Sequence, residues 1–300
     1  MRKSPLVAGL AALIMTVSPL WAAEIETAIG EVDVAENPKT IAVFDIAAVD
    51  TLDRLGIHPN GIPDKLYLPE LSKLTENAEV VGTLFEPDLE ALNALAPDLI
   101  IVGGRSSPQV EAARRVAPTI DMTITGDDLF AEAKARLAAY GTIFDRADEA
   151  KKAQDELDEA LADAKNAVKG KGKALIIMTN GPKVSAYGPG SRFGWVHNAL
   201  ELPAAVEDVD SATHGEAVSF EFIRKADPDW IIVLDRAASI GSGEQSALAT
   251  LDNELMRQTK AWKNEQIVYL PPADFYIAAG GAQATKRVLG TISEAFSRAE

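Results

Sequence analysis

The stretch APDLIIVGGR, Ala96 to Arg105, has a near-copy far down the chain in DPDWIIVLDR, Asp227 to Arg236. Both write Pro-Asp, a run of bulky aliphatic residues, two further positions and an arginine. Arginine follows proline by eight positions in each, and the two prolines, Pro97 and Pro228, stand 131 residues apart. An aliphatic run without polar alternation is the pattern of a strand buried on both faces of a parallel sheet. Seven positions before each proline lies a glutamate, Glu90 and Glu221, near the start of a helical pattern that leads into the strand. The blocks LEALNALAPDLIIVGGR and FEFIRKADPDWIIVLDR therefore read as one helix–strand unit used twice, once in each lobe of an α/β chain.

Working outward from the first copy, strand and helix patterns alternate. EIETAIGEVDVAENPKTIAVFD predicts an alternating strand, a turn at Asn37-Pro38 and a buried strand from Thr40 to Phe44. IAAVDTLDRLG predicts a helix closed by Gly56, and Glu79 to Val81 a short strand. PQVEAARRVAP predicts a further helix and TIDMTI a further strand. From Asp128 to Val168 the composition changes: no proline, one glycine, and abundant Ala, Lys, Glu and Asp at helical spacing. That segment predicts a helix, a brief break near Gly141 and a long exposed helix. Its charges read as a solvated face, and its weak Ala-rich stripe leaves a coiled-coil partner as the alternative. After GKGK the alternation resumes through ALIIMT, VSAYGPG, FGWVHNALE, FEFIRKADPD, WIIVLD and QIVYL to a last helix from about Ala282 to Ala299. The expected organisation is an N-terminal lobe over 24–127, a linking helical segment over 128–170 and a C-terminal lobe over 171–300.

Residues 1–23 stand outside both lobes. Arg2 and Lys3 precede an apolar run from Leu6 to Val17, and small residues follow at Ala22 and Ala23. This is the pattern of an export signal, shorter than a membrane-spanning helix. The chain has no cysteine, which excludes disulfides, thiolate metal sites and a lipid on an N-terminal cysteine. A freely soluble, exported, monomeric protein of the periplasm is the expectation. The net charge of −16 argues against nucleic acid and anionic membrane surfaces as partners.

In open α/β sheets, ligands sit beyond the carboxyl ends of the strands. Arg105 and Arg236 follow such ends at matched positions, so facing lobes would bring both guanidinium groups to one cleft. Singly, each arginine fits a surface ion pair equally well; the matched placement favours the cleft. Arg192, after the Gly/Pro-rich loop SAYGPG, is a third candidate, since a guanidinium stays charged and grips oxygens in two directions. Of the three histidines, His58 in a turn and His197 in a helix read as structural. His214 in ATHGEAVSFEF and Tyr276 in PPADFYIAAGG are predicted in loops. Imidazole and phenolate together suit a hard Fe(III) centre. A loop histidine and a loop tyrosine without such a role fit the sequence too.

VGTLFEPDLEALNALAPDLIIVGGRSS, SAYGPGSRFG, THGEAVSFEFIRKADPDWIIVLDR and DFYIAAGG together resemble the periplasmic ferric-siderophore-binding proteins of ABC importers, in the branch serving catecholate-type siderophores. The resemblance spans the chain after the export signal. It implies a class III periplasmic binding protein: two Rossmann-like α/β lobes joined by a single long α-helix, with a shallow cleft and small hinge motion. It implies that Arg105, Arg192 and Arg236, with Tyr187 of the same motif as Arg192, face the ligand. His214 and Tyr276 would complete iron coordination when a tetradentate siderophore leaves two sites open. Glu90 and Glu221 would dock on arginines of the membrane permease. The Fe(III)-siderophore is then the transported ligand, with no permanently bound cofactor.

Enzyme motifs are missing: GSRFG is not a nucleophile elbow, IGSGEQSA lacks the lysine of a phosphate loop, and there is no H-E-x-x-H. Within binding proteins the alternatives are a ferric hydroxamate or mixed-ligand siderophore, haem and cobalamin. Three cleft arginines favour the anionic catecholate, and three histidines are too few for a zinc or manganese carrier.

Overall fold

A computed structural model describes residues 22–126, 128–209 and 215–299. It opens with a hairpin of β1 (Ala22–Thr27) and β2 (Gly30–Ala35). The first lobe continues through β3 (Ile41–Val43), α1 (Ile46–Arg54), β4 (Gly61–Ile62), β5 (Glu79–Val80), α2 (Leu89–Leu95), β6 (Leu99–Val102), α3 (Val110–Ala113) and β7 (Thr119–Asp121). Two helices follow, α4 (Leu129–Ile143) and α5 (Ala147–Val168). The second lobe holds β8 (Ala174–Asn180), β9 (Lys183–Tyr187), α6 (Trp195–Leu200), β10 (Glu216–Ala217), α7 (Phe220–Ala226), β11 (Trp230–Asp235) and α8 (Arg236–Ile240). It ends with α9 (Ala247–Leu251), α10 (Lys260–Lys263), β12 (Ile267–Tyr269), α11 (Pro272–Tyr276) and α12 (Ala282–Arg298).

The two sheets have corresponding orders, β5-β4-β3-β6-β7 and β10-β9-β8-β11-β12. The repeated unit supplies the fourth strand of each, β6 and β11. Its agreement extends to the backbone. α2 and α7 are both seven-residue helices, capped at the start by Asp88 and Ser219 and ended by left-handed residues, Ala96 and Asp227. The prolines that follow cannot continue the helix. Asp98 and Asp229 then accept hydrogen bonds from backbone N–H groups that precede the neighbouring strand, Asp98 from Lys39 and Thr40 and Asp229 from Lys173. Each unit thus locks its strand beside β3 or β8. The first sheet is parallel throughout, whereas β9 runs antiparallel to both β8 and β10.

Two helices join the lobes. α5, with 22 residues, is about 33 Å long. Its Ala150, Ala153 and Leu157 enter the core of the first lobe, and its Ala164 and Val168 that of the second. α12 lies beside it in the same direction, with Ala282 and Ala284 in the first core and Val288, Leu289, Ile292 and Phe296 in the second. Glu156 of α5 binds both Arg54 of α1 at 2.6 Å and Lys286 of α12 at 3.2 Å. The start of α12 is anchored on the first lobe: Asp50, fully buried, accepts from the N–H groups of Gln283 and Ala284 and pairs with Arg287, which also holds Asp274. Two parallel helices resist twisting and opening more than one does.

Three local readings are corrected. EIETAIGEVDVA is a hairpin, not one strand; the chain reverses at Ala28-Ile29, with Thr27 opposite Gly30. The alternation continues on both sides of that turn, so it concealed the reversal. Gly141 lies inside α4, where a Cβ would stand 2.7 Å from that of Ala150, so it permits close helix packing and does not break the helix. The break falls at Phe144 to Arg146, around Asp145 at φ 53°. PQVEAARRVAP gives only the single helical turn α3, preceded by a 3-10 turn over Gly104–Gln109 that contains Pro108. Residues 1–21, the body of the expected export signal, lie outside the described residues; Ala22 and Ala23 open β1, so cleavage after Ala23 would shorten that strand to Glu24–Thr27.

Candidate functional site

The carboxyl ends of β6 and β11 deliver Arg105 and Arg236 to one place. Arg105 follows Gly103 and Gly104 in a turn held by Ser106 Oγ, which accepts from the Gly103 N–H, and by Thr123 Oγ1, which accepts from the Gly104 N–H. Arg236 is the first residue of α8, whose cap Asp235 accepts from the N–H groups of Ala238 and Ala247. Arg192 comes from the tight turn between β9 and α6, where the Gly194 N–H donates to Ser191 and a Cβ on Gly194 would fall 2.0 Å from the Pro189 carbonyl oxygen. Glycine is required there by that contact.

All three arginines converge on Tyr276, which is not in a loop but ends α11. The guanidinium carbons of Arg105 and Arg192 each lie 5.0 Å from the centre of its ring, and that of Arg236 lies 5.9 Å away. Arg105 and Arg192 both donate to the Tyr276 carbonyl, at 3.1 and 3.0 Å. A helix-end carbonyl has no partner within its own helix and carries the negative end of the helix dipole. Arg236 Nε donates to the Tyr276 hydroxyl oxygen at 3.2 Å, and its Nη1 donates to Asn180 Oδ1 at 3.0 Å. Asn180 ends β8, and the β8–β11 register sets Thr179 opposite Asp235. Behind the site, Phe275 stacks on Phe193 at 4.7 Å and meets Trp195 at 5.8 Å, fixing α11 against the second lobe.

The electrostatics follow from this crowding. Among the described residues none of the three arginines forms an ion pair, in a chain with 45 acidic residues. Burial lowers the pKa of Arg192, and the charge of Arg105 lowers it further. A guanidinium nonetheless stays protonated at neutral pH. Burial alone would raise the Tyr276 phenol, but the hydrogen bond and charge of Arg236, joined by Arg105 and Arg192, hold it below the ordinary tyrosine value. The phenol is thereby biased toward phenolate, the form that donates to hard cations. Asp45, the cap of α1, lines a small cavity of about 80 Å³ with Arg105, Arg192 and Phe193. Burial pushes its carboxyl up to about 6, against the N–H groups of Ala47 and Ala48 and the charge of Arg105.

The other candidates are distributed as follows. Tyr187 is 1% exposed, with its hydroxyl toward Met178 sulfur at 3.6 Å and its ring edge-on to Phe193 at 4.8 Å. His214 lies outside the described residues. Glu90 and Glu221 are exposed in the first turns of α2 and α7. His197 is buried, its Nδ1 2.9 Å from the Leu202 carbonyl oxygen, and burial lowers its pKa; His58 is exposed. Among the described residues no group of three or more His, Cys, Asp or Glu could hold a metal ion, and no helix is long and apolar enough to cross a membrane. Asn180 was not legible as a site residue, because only the β8–β11 register brings it to Arg236.

Residues 41–273 match the family described as Periplasmic binding protein. The chain belongs to this family. Among curated relatives of this periplasmic binding protein, the petrobactin-binding protein YclQ of Bacillus subtilis is 33% identical over 269 residues, covering 88% of this chain and 84% of YclQ. The ferric-anguibactin-binding protein FatB of Vibrio anguillarum is 29% identical, covering 91% of this chain and 87% of FatB. Among solved structures, YclQ superposes with a TM-score of 0.87 over 93% of this chain and 99% of its own, at 32% identity. The catecholate-siderophore-binding protein VctP of Vibrio cholerae gives 0.85 over 91% and 100%, at 27% identity. These neighbours are two-lobed binding proteins, and the α/β architecture of two lobes joined by the long α5, with α12 beside it, is that of the class.

Proposed function

We propose that this chain binds a ferric catecholate-type siderophore in the periplasm and delivers it to an ABC permease, without catalysing a reaction. The observation that carries the reading is the meeting of Arg105, Arg192 and Arg236 at Tyr276 with no carboxylate partner, in a protein of net charge −16. Like charges held together without counterions favour an incoming anion. A ferric tris-catecholate carries three negative charges on oxygens that accept from guanidinium forks. Each such charge-assisted contact contributes about 1.5–3 kcal/mol. Acidic surface elsewhere opposes little of this, since screening at about 0.15 M salt acts within roughly 8 Å.

Tyr276, with its lowered phenol pKa, is the group for iron left incompletely coordinated by a tetradentate siderophore, and His214 is its proposed partner. Tyr187 supports the aromatic wall behind the ligand through Phe193. Glu90 and Glu221 are the proposed docking residues. α2 and α7 each lead through a short turn into β6 and β11, so their first turns lie at the same sheet edges as the arginines. A permease seated over the cleft would meet both carboxylates. The names of YclQ, FatB and VctP support a siderophore as the ligand class. A neutral ferric hydroxamate would leave three guanidiniums uncompensated.

The test is quenching of tryptophan fluorescence, for which Trp195 lies one aromatic ring from Phe275, the neighbour of Tyr276. Titration with ferric tris-catecholate, ferric bis-catecholate, ferric hydroxamate, haem and cobalamin should give tightest binding for the catecholates. Tightest binding of a neutral chelate would overturn the proposal.

A further inference from the structure

One contact crosses from the first lobe to the second at the cleft edge and belongs to none of the roles above. Lys65 lies in the loop that follows the carboxyl end of β4, which pairs with β3 in the same sheet as β6. Its Nζ donates to the carbonyl of Ile240 at 2.7 Å. Ile240 ends α8, the helix that begins with Arg236. Among the described residues its carbonyl, a helix-end acceptor, has no backbone N–H partner, so the ammonium occupies the negative end of that helix. Gly241 makes room: a Cβ there would stand 3.2 Å from Lys65 Nζ, and its φ of +64° suits glycine.

The loop is shaped around this arrangement. Tyr67 adopts φ 66°, a conformation that is costly for a bulky residue and persists where the surroundings enforce it. Its ring centre lies 4.7 Å from Lys65 Nζ. Tyr67, Ile240 and Tyr276 all pack against the same first-lobe core, and Ile240 lies about one helical turn after Arg236 in α8. Burial, with the charge of Asp64, raises the Tyr67 phenol, and the charge of Arg105 opposes them. Lys65 itself is exposed, and among the described residues it has no carboxylate partner. A neutral carbonyl leaves the ammonium charge uncompensated, and the flexible stem allows it to leave for a multiply charged anion.

We propose that Lys65 is a fourth cation of the anion site, held across the cleft on the Ile240 carbonyl and given up to an entering ferric chelate. The inference rests on the anionic-chelate reading above. It makes Lys65 respond to ligand charge, where Arg105, Arg192 and Arg236 are fixed by Tyr276.

Two measurements on the full chain test it. The absence of cysteine allows spin labels to be placed at Glu76→Cys and Lys225→Cys, both exposed and one in each lobe. In the empty protein, Lys65→Gln should broaden the inter-lobe distance distribution toward longer values, and Lys65→Arg should restore it. Titration with a ferric tris-catecholate should show about tenfold weaker binding for Lys65→Gln, with recovery in Lys65→Arg and little change for a neutral ferric hydroxamate. An unchanged distance distribution overturns the parked contact, and unchanged tris-catecholate affinity overturns the ligand role. If the unsubstituted protein binds no ferric catecholate, the functional reading and the ligand role fail together, while the distances in the empty protein still decide the cross-cleft contact.

Discussion

Replacing Arg236 with Gln tests the site at its most connected arginine. Arg236 donates to the Tyr276 hydroxyl at 3.2 Å and to Asn180 at 3.0 Å, contacts that orient its fork. Glutamine keeps a polar side chain of moderate length but removes the charge and most of the donors. Loss of one charge-assisted contact to a catecholate oxygen costs about 1.5–3 kcal/mol, which weakens binding roughly ten- to 150-fold. A second consequence is independent of ligand. The hydrogen bond and charge of Arg236 are foremost among the influences that offset burial at Tyr276, so the variant's phenol should titrate at higher pH. Fluorescence titration at two salt concentrations reads the first effect, and ultraviolet difference titration of tyrosinate reads the second. Unchanged affinity for every anionic chelate, with an unchanged tyrosine titration, would refute the placement of Arg236 in the site.

His214→Ala combined with Tyr276→Phe should weaken ferric bis-catecholates at least tenfold while sparing hexadentate tris-catecholates; equal loss in both titrations would show that neither residue ligates iron. Glu90→Ala with Glu221→Ala should leave affinity within twofold and abolish siderophore-dependent iron uptake in cells, and normal uptake would remove both from the docking surface. Burial pushes the Asp50 carboxyl from 3.8 up to about 6, so the folded state holds this proton more tightly than the unfolded chain. The stability it contributes is complete below the unfolded value and is lost as pH rises through about 6, while the N–H groups of Gln283 and Ala284 and the charge of Arg287 oppose the shift. Thermal unfolding of Asp50→Asn should accordingly vary less between pH 4 and 7 than that of the unsubstituted protein, and parallel curves would contradict this.

The repeated helix–strand unit was legible because it is local. A helix start, a left-handed stop at Ala96 or Asp227, a Pro-Asp pair and a buried strand are written in consecutive residues, and they fold alike in both lobes. Arg105 and Arg236 followed from the strand ends. What the sequence did not disclose depends on contacts between distant segments. That two guanidiniums would share the main-chain carbonyl of Tyr276 requires α11 to end between the lobes. That α12 would start on the first lobe requires Asp50 to cap it across 233 and 234 residues of chain. The reversal at Ala28-Ile29 was hidden by an alternation compatible with one strand or two, and the acceptor of Lys65 lies 175 positions away with no motif to mark it.

The most direct test is a crystal structure of the protein with a ferric catecholate, phased at the iron edge. The predicted result is one anomalous iron peak beside Tyr276, with catecholate oxygens within hydrogen-bond distance of Arg105, Arg192 and Arg236. An iron peak elsewhere, for instance in the hollow of about 590 Å³ lined by Lys165, Lys169 and Lys173, or a chelate that touches none of the three arginines, would contradict it.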